Sequence, residues 1–437
     1  MSIISVIGPK GGIGKTTLSI NATAALTRKL SREPRNRVCL VDLDLRLPTI
    51  ASLLDSHPRK TFFDLFETLA NKTYQVDFLR QLYRIITRFQ AFLEGALEPS
   101  DPALAKSFAD YKSLNPDLFR FSDFAFGDQL HELFLHRGSI HTLADLEQLR
   151  NILGRMDAAA FRRVLNEVEE NSFPLPEEYI NYIEEYGFSI IGGEVPVLGK
   201  RAHRKRINEP AFLLLFLEFL NRVFQRFDHV VLDTPAGGVN HLSSLMNVID
   251  QVLFVFDLSN TIAVKGSIDA LHSFIDYYED FCADFQAGRL TGLDRDFVTK
   301  LCAERGEASF LDSLRNKKFG IFFNRCSETR EVKDALRRLR DYLDTLDKYE
   351  TYKDRIHMVS LLPTHKIINI TNNRGALFYN KDMNLTGRMD LVAENILRHH
   401  APCPTLAAPD KEIIRYLNRQ GRPGLLAPLS RIAGVFS

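Results

Sequence analysis

Apolar runs long enough to cross a bilayer are missing from this 437-residue chain. None approaches the roughly 20 residues that a spanning helix needs, so an integral membrane protein of that kind is excluded. The N-terminus enters an apolar, strand-like run with no basic-then-apolar leader, and a cytoplasmic location is the expectation. Cysteine is scarce: Cys39, Cys282, Cys302, Cys326 and Cys403 are odd in number and none stands in C-x-x-C spacing. Neither a disulfide framework nor a zinc site is expected from them, and they read as reduced thiols. An excess of charge of one sign is also missing, since 56 Lys+Arg against 55 Asp+Glu leave a net +1. That excludes a global pull towards nucleic acid or anionic lipid, so any such partner must be met by a local patch. No internal repeat is visible.

What is present is enough apolar material, 45% of the chain, for one large core with insertions or for two domains. Short β-branched apolar runs alternate with helical patterns, which predicts an α/β fold: a mostly parallel, doubly wound sheet with helices on both faces. Strands are expected near residues 2–7, 37–42, 188–192, 228–233, 251–256, 319–323 and 357–361. Val38-Cys39-Leu40-Val41 and Val252-Leu253-Phe254-Val255-Phe256 are continuous rather than alternating, as befits strands covered on both sides. Between about 62 and 187 the rhythm becomes helical, with Phe78, Leu79, Leu82, Ile85, Ile86, Phe89 and Phe92 along one face. This predicts an inserted α-helical subdomain, punctuated at Pro99, Pro102, Pro116, Gly138, Pro174 and Pro176. The sheet domain is therefore discontinuous, residues 1–61 and 188–400, with a minor insertion at about 276–318 and a tail at 401–437. The aromatic run Phe119, Phe121, Phe124, Phe126 reads as packing inside the insertion, the sharper alternative being a partner-binding surface.

Chemistry concentrates at three places. Pro9-Lys10-Gly11-Gly12-Ile13-Gly14-Lys15-Thr16-Thr17 directly follows the run Ile3-Ile4-Ser5-Val6-Ile7. A nucleoside triphosphate needs inward N–H groups and positive charge, which the loop backbone from Gly11 to Thr17, a helix N-terminus and Lys15 provide. Thr16 stands where a hydroxyl ligates Mg²⁺. The general G-x-x-x-x-G-K-[ST] spacing fails at its first position, occupied by Pro9, and Lys10 is surplus to it. Next, Asp42 and Asp44 lie at alternate positions where a strand runs out, so both face the same way at the edge where α/β sheets bind ligands. Finally, Asp233 ends the run Val230-Val231-Leu232 and is the candidate for holding Mg²⁺ through a coordinated water. The turn after it, Thr234-Pro235-Ala236-Gly237-Gly238, lets backbone approach a γ-phosphate and swing when it leaves.

The loop K-G-G-x-G-K-T-T is similar to the deviant Walker A loop of the ParA/MinD superfamily of dimerising P-loop ATPases. The resemblance covers residues 1 to about 60, 188–275 and 317–400. It implies that Lys10 reaches the phosphates held by the partner subunit, that Asp44 orients the attacking water and that Asp42 supports the Mg²⁺ shell. D-T-P-A-G resembles that family's switch segment, which places Pro235, Ala236, Gly237 and Gly238 in it. Asn324-Arg325 and Leu361-Leu362-Pro363 resemble the family's base contacts, so Asn324 would read adenine through its amide and Pro363 pack on the ring. A helix cap is the plain alternative for Asn324. ATP is implied rather than GTP, because no N-K-x-D pattern follows. The function implied is an ATP- and Mg²⁺-dependent homodimeric switch that hydrolyses slowly and positions or recruits a cargo.

Two alternatives share the core. Arg46-Leu47-Pro48 resembles a motif of bacterial tyrosine autokinases, but those need a tyrosine-rich tail and only Tyr416 remains after Tyr379. Targeting ATPases for tail-anchored proteins also carry the early lysine and use helical insertions to shield an apolar client, although their metal-binding cysteine pair has no counterpart here. That keeps open a nucleotide-binding adaptor whose insertion is the working part. An unknown protein partner would meet the insertion. The run Lys200-Arg201-Ala202-His203-Arg204-Lys205-Arg206 is a solvated loop or a site for DNA, an acidic partner or an anionic surface. The tail carries apolar residues from Leu425 to Phe436, but Pro428 interrupts a helix and Arg431 is its nearby cation, which argues against membrane docking. Recruitment to nucleoid or membrane surface is what the resemblance implies for location.

Overall fold

The computed structural model describes residues 2–30, 37–44, 48–114, 127–171, 174–192, 210–235, 245, 248–315, 317–373 and 377–419. Two compact units divide the chain: Met1–Leu65 with Leu175–Ser437, and Phe66–Pro174.

The first unit is built on eight strands: β1 (Ser2–Ile7), β2 (Val38–Asp42), β3 (Asn181–Ile183), β4 (Phe188–Ile191), β5 (His229–Asp233), β6 (Gln251–Asp257), β7 (Lys318–Cys326) and β8 (Ile356–Pro363). Their order across the sheet is β3-β4-β2-β5-β1-β6-β7-β8. All neighbours are parallel except β3 and β4. β1, β2 and β6 are buried along their whole length, which explains why they read as unbroken apolar runs. The sheet is mostly parallel, as expected, with helices packed on both sides. One side is covered by the helices Lys15–Leu30 and Met383–Leu397, whose Leu18, Leu26, Met389 and Val392 join Val6, Leu40 and Val255 in one core cluster. On the other, Phe274 of the helix Thr261–Gln286 meets the ring of Phe254 edge-on at 5.4 Å.

β3 was not expected. It is only three residues long and partly exposed, so no alternation announces it. It exists because Gly187 takes φ +73° and turns the chain back, with Gly187 N donating to Ile183 O at 2.8 Å. The segment from Leu175 to Ile191 consequently folds with the sheet, whereas helical periodicity sets the boundary at 187. β7 and β8 also run further than expected, so Asn324, Arg325 and Pro363 lie within strands rather than after them.

Within the second unit, Phe78, Leu79, Leu82, Ile85, Ile86 and Phe89 form one buried core with residues of the helices Pro102–Ser113, Gly127–Leu135 and Ala158–Asn171. Asp101 caps the helix that Pro102 opens, accepting from Ala103 N at 2.7 Å, so this proline starts an element instead of interrupting one. The run from Phe119 to Phe126 lies outside the described residues. The minor insertion consists of the end of the helix Thr261–Gln286 followed by the helices Gly292–Arg305 and Glu307–Arg315.

Candidate functional site

β1 lies between β5 and β6, and the chain leaves it towards β2 on one side while β5 connects to β6 on the other. Such a reversal opens a crevice at the carboxyl ends of the strands. The loop Gly8–Gly14 sits there. A Cβ on Gly8 would lie 2.1 Å from Ile13 Cδ1, and Gly12 and Gly14 take φ +74° and +96°. Glycine is thus required by space at one end of the loop and by backbone conformation at the other. The Ile13 side chain is fully buried and anchors the loop, leaving only its backbone to face a ligand. Lys15 turns inward: it is buried, its Nζ donates to Lys10 O at 3.0 Å, and burial pushes its pKa down while Asp233 and Asp44 pull it back up.

The acids follow from strand register. Asp42 is the cross-strand partner of Asp233, so two carboxyls end adjacent strands at the same level. Thr16 Oγ1 donates to Asp233 Oδ2 at 2.7 Å and Ser19 Oγ to Asp233 Oδ1 at 2.9 Å. Asp42 accepts N–H bonds from Asp44 at 3.0 Å, Thr49 at 2.9 Å and Ile50 at 3.1 Å, and so organises the loop that carries Asp44. Burial pushes both carboxyls up from the ordinary range, with Asp233 adding to the rise at Asp42, and the N–H and hydroxyl donors oppose it. A hydroxyl and a carboxylate so arranged are hard oxygen donors that suit Mg²⁺. Among the described residues there is no group of three or more His, Cys, Asp or Glu placed to hold a metal, and all five cysteines are free.

One cavity of about 570 Å³ brings together Gly11, Gly12, Gly14, Lys15, Thr16 and Thr17 with Asp44, Asn324, Arg325 and Pro363. Thr234, His365 and Ile368 are also part of its wall. Asp42 and Asp233 lie buried beneath it. Asn324 does not cap the next helix, which Glu328 caps together with Glu331. Its Nδ2 instead donates to Ile13 O at 2.6 Å. Arg325 likewise turns to the loop, donating to Gly12 O at 2.5 Å and lying 3.3 Å from Asp257 Oδ2. Lys10 stays outside the cavity, its side chain 54% exposed and its Nζ 4.0 Å from that same oxygen.

Ser19 and Asp257 escaped the sequence reading. Ser19 lies one helical turn beyond Lys15, where a serine looks like any helix residue. Asp257 ends an apolar strand just as Asp233 does, and that was the signal available. Pro235 is half-buried, and Thr234 before it is tied by its hydroxyl to Val6 O at 2.7 Å. Ala236, Gly237 and Gly238, the basic run from Lys200 to Arg206 and the apolar tail from Leu425 to Phe436 lie outside the described residues. Among those described, no helix is long and apolar enough to cross a membrane.

Comparison with known proteins completes the picture. The chain is similar to the antiactivator FleN of Pseudomonas aeruginosa, 42% identical over 67 residues, which span 15% of this chain and only 22% of FleN. Among solved structures it is similar to the cell division ATPase MinD of Pyrococcus furiosus, at 14% identity over 91% of this chain and 99% of that one, with a TM-score of 0.42. MinD of Pyrococcus horikoshii complexed with Mg-ADP matches at 13% identity over 92% and 98%, also with a TM-score of 0.42. Residues 4–341, which carry the loop, the paired acids, Asp233 and Asn324, match the family described as the CobQ/CobB/MinD/ParA nucleotide binding domain, and the chain belongs to that family.

Proposed function

We propose that this protein is an ATP-dependent switch of the ParA/MinD type, in which two copies close over two nucleotides, hydrolyse ATP slowly, and position or recruit a cargo. The observation that carries the reading is the division of labour between two lysines of one loop. Lys15 is buried and lines the cavity, whereas Lys10 stands outside it with its side chain 54% exposed, which leaves it available to a second copy. In the scheme, the loop N–H groups and Lys15 hold the β- and γ-phosphates. Thr16 and Asp233 would hold Mg²⁺, with Ser19 fixing the carboxylate and Asp42 supporting the shell from beneath. The ion, when bound, neutralises phosphate charge. Asp44 orients a water whose oxygen attacks the γ-phosphorus; the bond to the β–γ bridging oxygen breaks, and ADP departs with its electron pair. Lys10 of the partner subunit supplies a positive charge that offsets the negative charge developing at the γ-phosphate. Asn324 and Arg325 fix the loop from the base side, where Pro363 packs on adenine.

Lys10→Ala is expected to keep ATP binding and lose turnover, and wild-type turnover per subunit is expected to fall on dilution below the dimerisation constant. Constant specific activity through that dilution would sink the scheme. The cargo is proposed to meet the unit Phe66–Pro174, with DNA or an anionic surface as a further partner for residues 200–206, and recruitment to nucleoid or membrane as the resulting location. A second reading, an adaptor with little useful turnover, is favoured by one observation: Phe66–Pro174 is a compact unit with its own buried core.

A further inference from the structure

Along a strand, successive side chains point to opposite faces of the sheet. Yet the neighbours Asn324 and Arg325 of β7 both reach the phosphate loop, at the adjacent carbonyls of Ile13 and Gly12. A bulge makes this possible. Pairing with β8 steps from Asn324 opposite Leu362 to Cys326 opposite Pro363, which leaves Arg325 without a cross-strand partner, at φ +57°. That region disfavours any residue with a Cβ. An arginine held where glycine would sit more easily points to what its guanidinium does.

The guanidinium makes two contacts. Nη2 donates to Gly12 O, and Nη1 lies 3.3 Å from Asp257 Oδ2. Asp257 is fully buried at the end of β6, and its other oxygen accepts from Ser259 N at 3.1 Å. The oxygen that meets Arg325 also faces Lys10 Nζ at 4.0 Å. One buried carboxylate oxygen therefore faces two cations, and the arginine is the nearer. A buried carboxylate that loses one cation draws in the other, because leaving it uncompensated is costly. With Arg325 gone, that other cation is Lys10, and a lysine drawn onto its own subunit is withdrawn from the outer face of the loop.

We propose that Arg325 is a positioning residue: by satisfying Asp257 and gripping Gly12, it frees Lys10 to reach the nucleotide of a second copy. This rests on the two-chain reading above and departs from the direct adenine contact expected for Arg325.

Arg325→Gly tests it, since glycine accepts the left-handed backbone of the bulge while deleting the guanidinium. A fluorescent ATP analogue measures affinity, and phosphate release at saturating ATP measures turnover. The full-length variant loses the Gly12 contact and is expected to bind the analogue up to about tenfold more weakly, and to lose about tenfold in turnover at saturating ATP; adding Asp257→Asn is expected to restore most of the turnover loss without restoring affinity, a coupling of ordinary size for residues in contact. A double variant no faster than Arg325→Gly would overturn the inference. So would weakened binding with turnover at saturation intact, the signature of a base contact. Lys10→Ala separates the two levels. If it turns over like wild type, the two-chain reading fails and takes this inference with it; if it is inactive and Asp257→Asn still restores nothing, only the role of Arg325 fails.

Discussion

Gly14→Ala would strike the phosphate loop through two independent costs, and each can be read from the structure. The backbone at Gly14 has φ +96°, and an added Cβ would lie 2.4 Å from Asn324 Nδ2. Alanine at positive φ costs about 1–2 kcal/mol. The methyl also pushes away an amide that donates to Ile13 O at 2.6 Å, and a buried amide left unpaired costs about 1–3 kcal/mol. Together the closed loop loses about 3 kcal/mol, which, if binding needs that loop, corresponds to roughly a hundredfold weaker nucleotide affinity. Calorimetric titration with ATP and Mg²⁺ measures the loss, and far-ultraviolet circular dichroism checks that the fold persists. Asn324→Ala in the same background removes the obstructing amide, leaving only the backbone cost. The two substitutions should therefore be non-additive, with the double variant better than the sum of the singles by at least about 1 kcal/mol. Affinity within twofold of wild type for Gly14→Ala, or strictly additive losses, would refute the argument.

Asp44→Ala separates the switch from the adaptor: a switch accumulates an ATP-bound dimer, detectable by light scattering, and loses cellular function, while an adaptor is nearly indifferent to it. Stability should also depend on pH through His357 and His400, two buried imidazoles whose pKa values burial pushes down to about 4 and about 3. Below the unfolded value near 6.5 the unfolded chain binds the extra protons, so this contribution is complete at neutral pH and drains away as pH falls. Each imidazole should cost about 2 kcal/mol by about pH 5, as measured by urea denaturation against pH. The raised carboxyls of Asp42 and Asp233 act with the opposite sign, so the discriminating comparison is His400→Leu, which should flatten the slope. An unchanged slope in that variant counts against the assignment.

Legibility differed from place to place for physical reasons. Strands buried on both faces must be continuously apolar, which is why β1, β2, β5 and β6 could be located to within a residue or two. β3 has neither length nor alternation and depends on a turn at Gly187 and a docked neighbour, so nothing local marked it. The loop glycines stand out in the sequence because positive φ at Gly12 and Gly14 and close packing at Gly8 impose their requirements on a short run of residues. Asn324 and Arg325 stand out in the sequence, but their partners do not, since Ile13 and Gly12 lie more than 300 residues away.

By itself, then, the chain's sequence determined the sheet class, the glycine-rich loop with its two lysines, and the acids that end β2 and β5. Those features follow from local chemistry: hydrophobic period and backbone freedom. Tertiary structure decided how they meet. Strand register set Asp42 beside Asp233, Ser19 was added as a second donor, and the bulge at Arg325 turned two neighbouring side chains onto one loop. It also left Lys10 and Arg325 facing a single carboxylate, Asp257. That arrangement depends on three strand and loop ends far apart in sequence, held together only by the packing of the sheet.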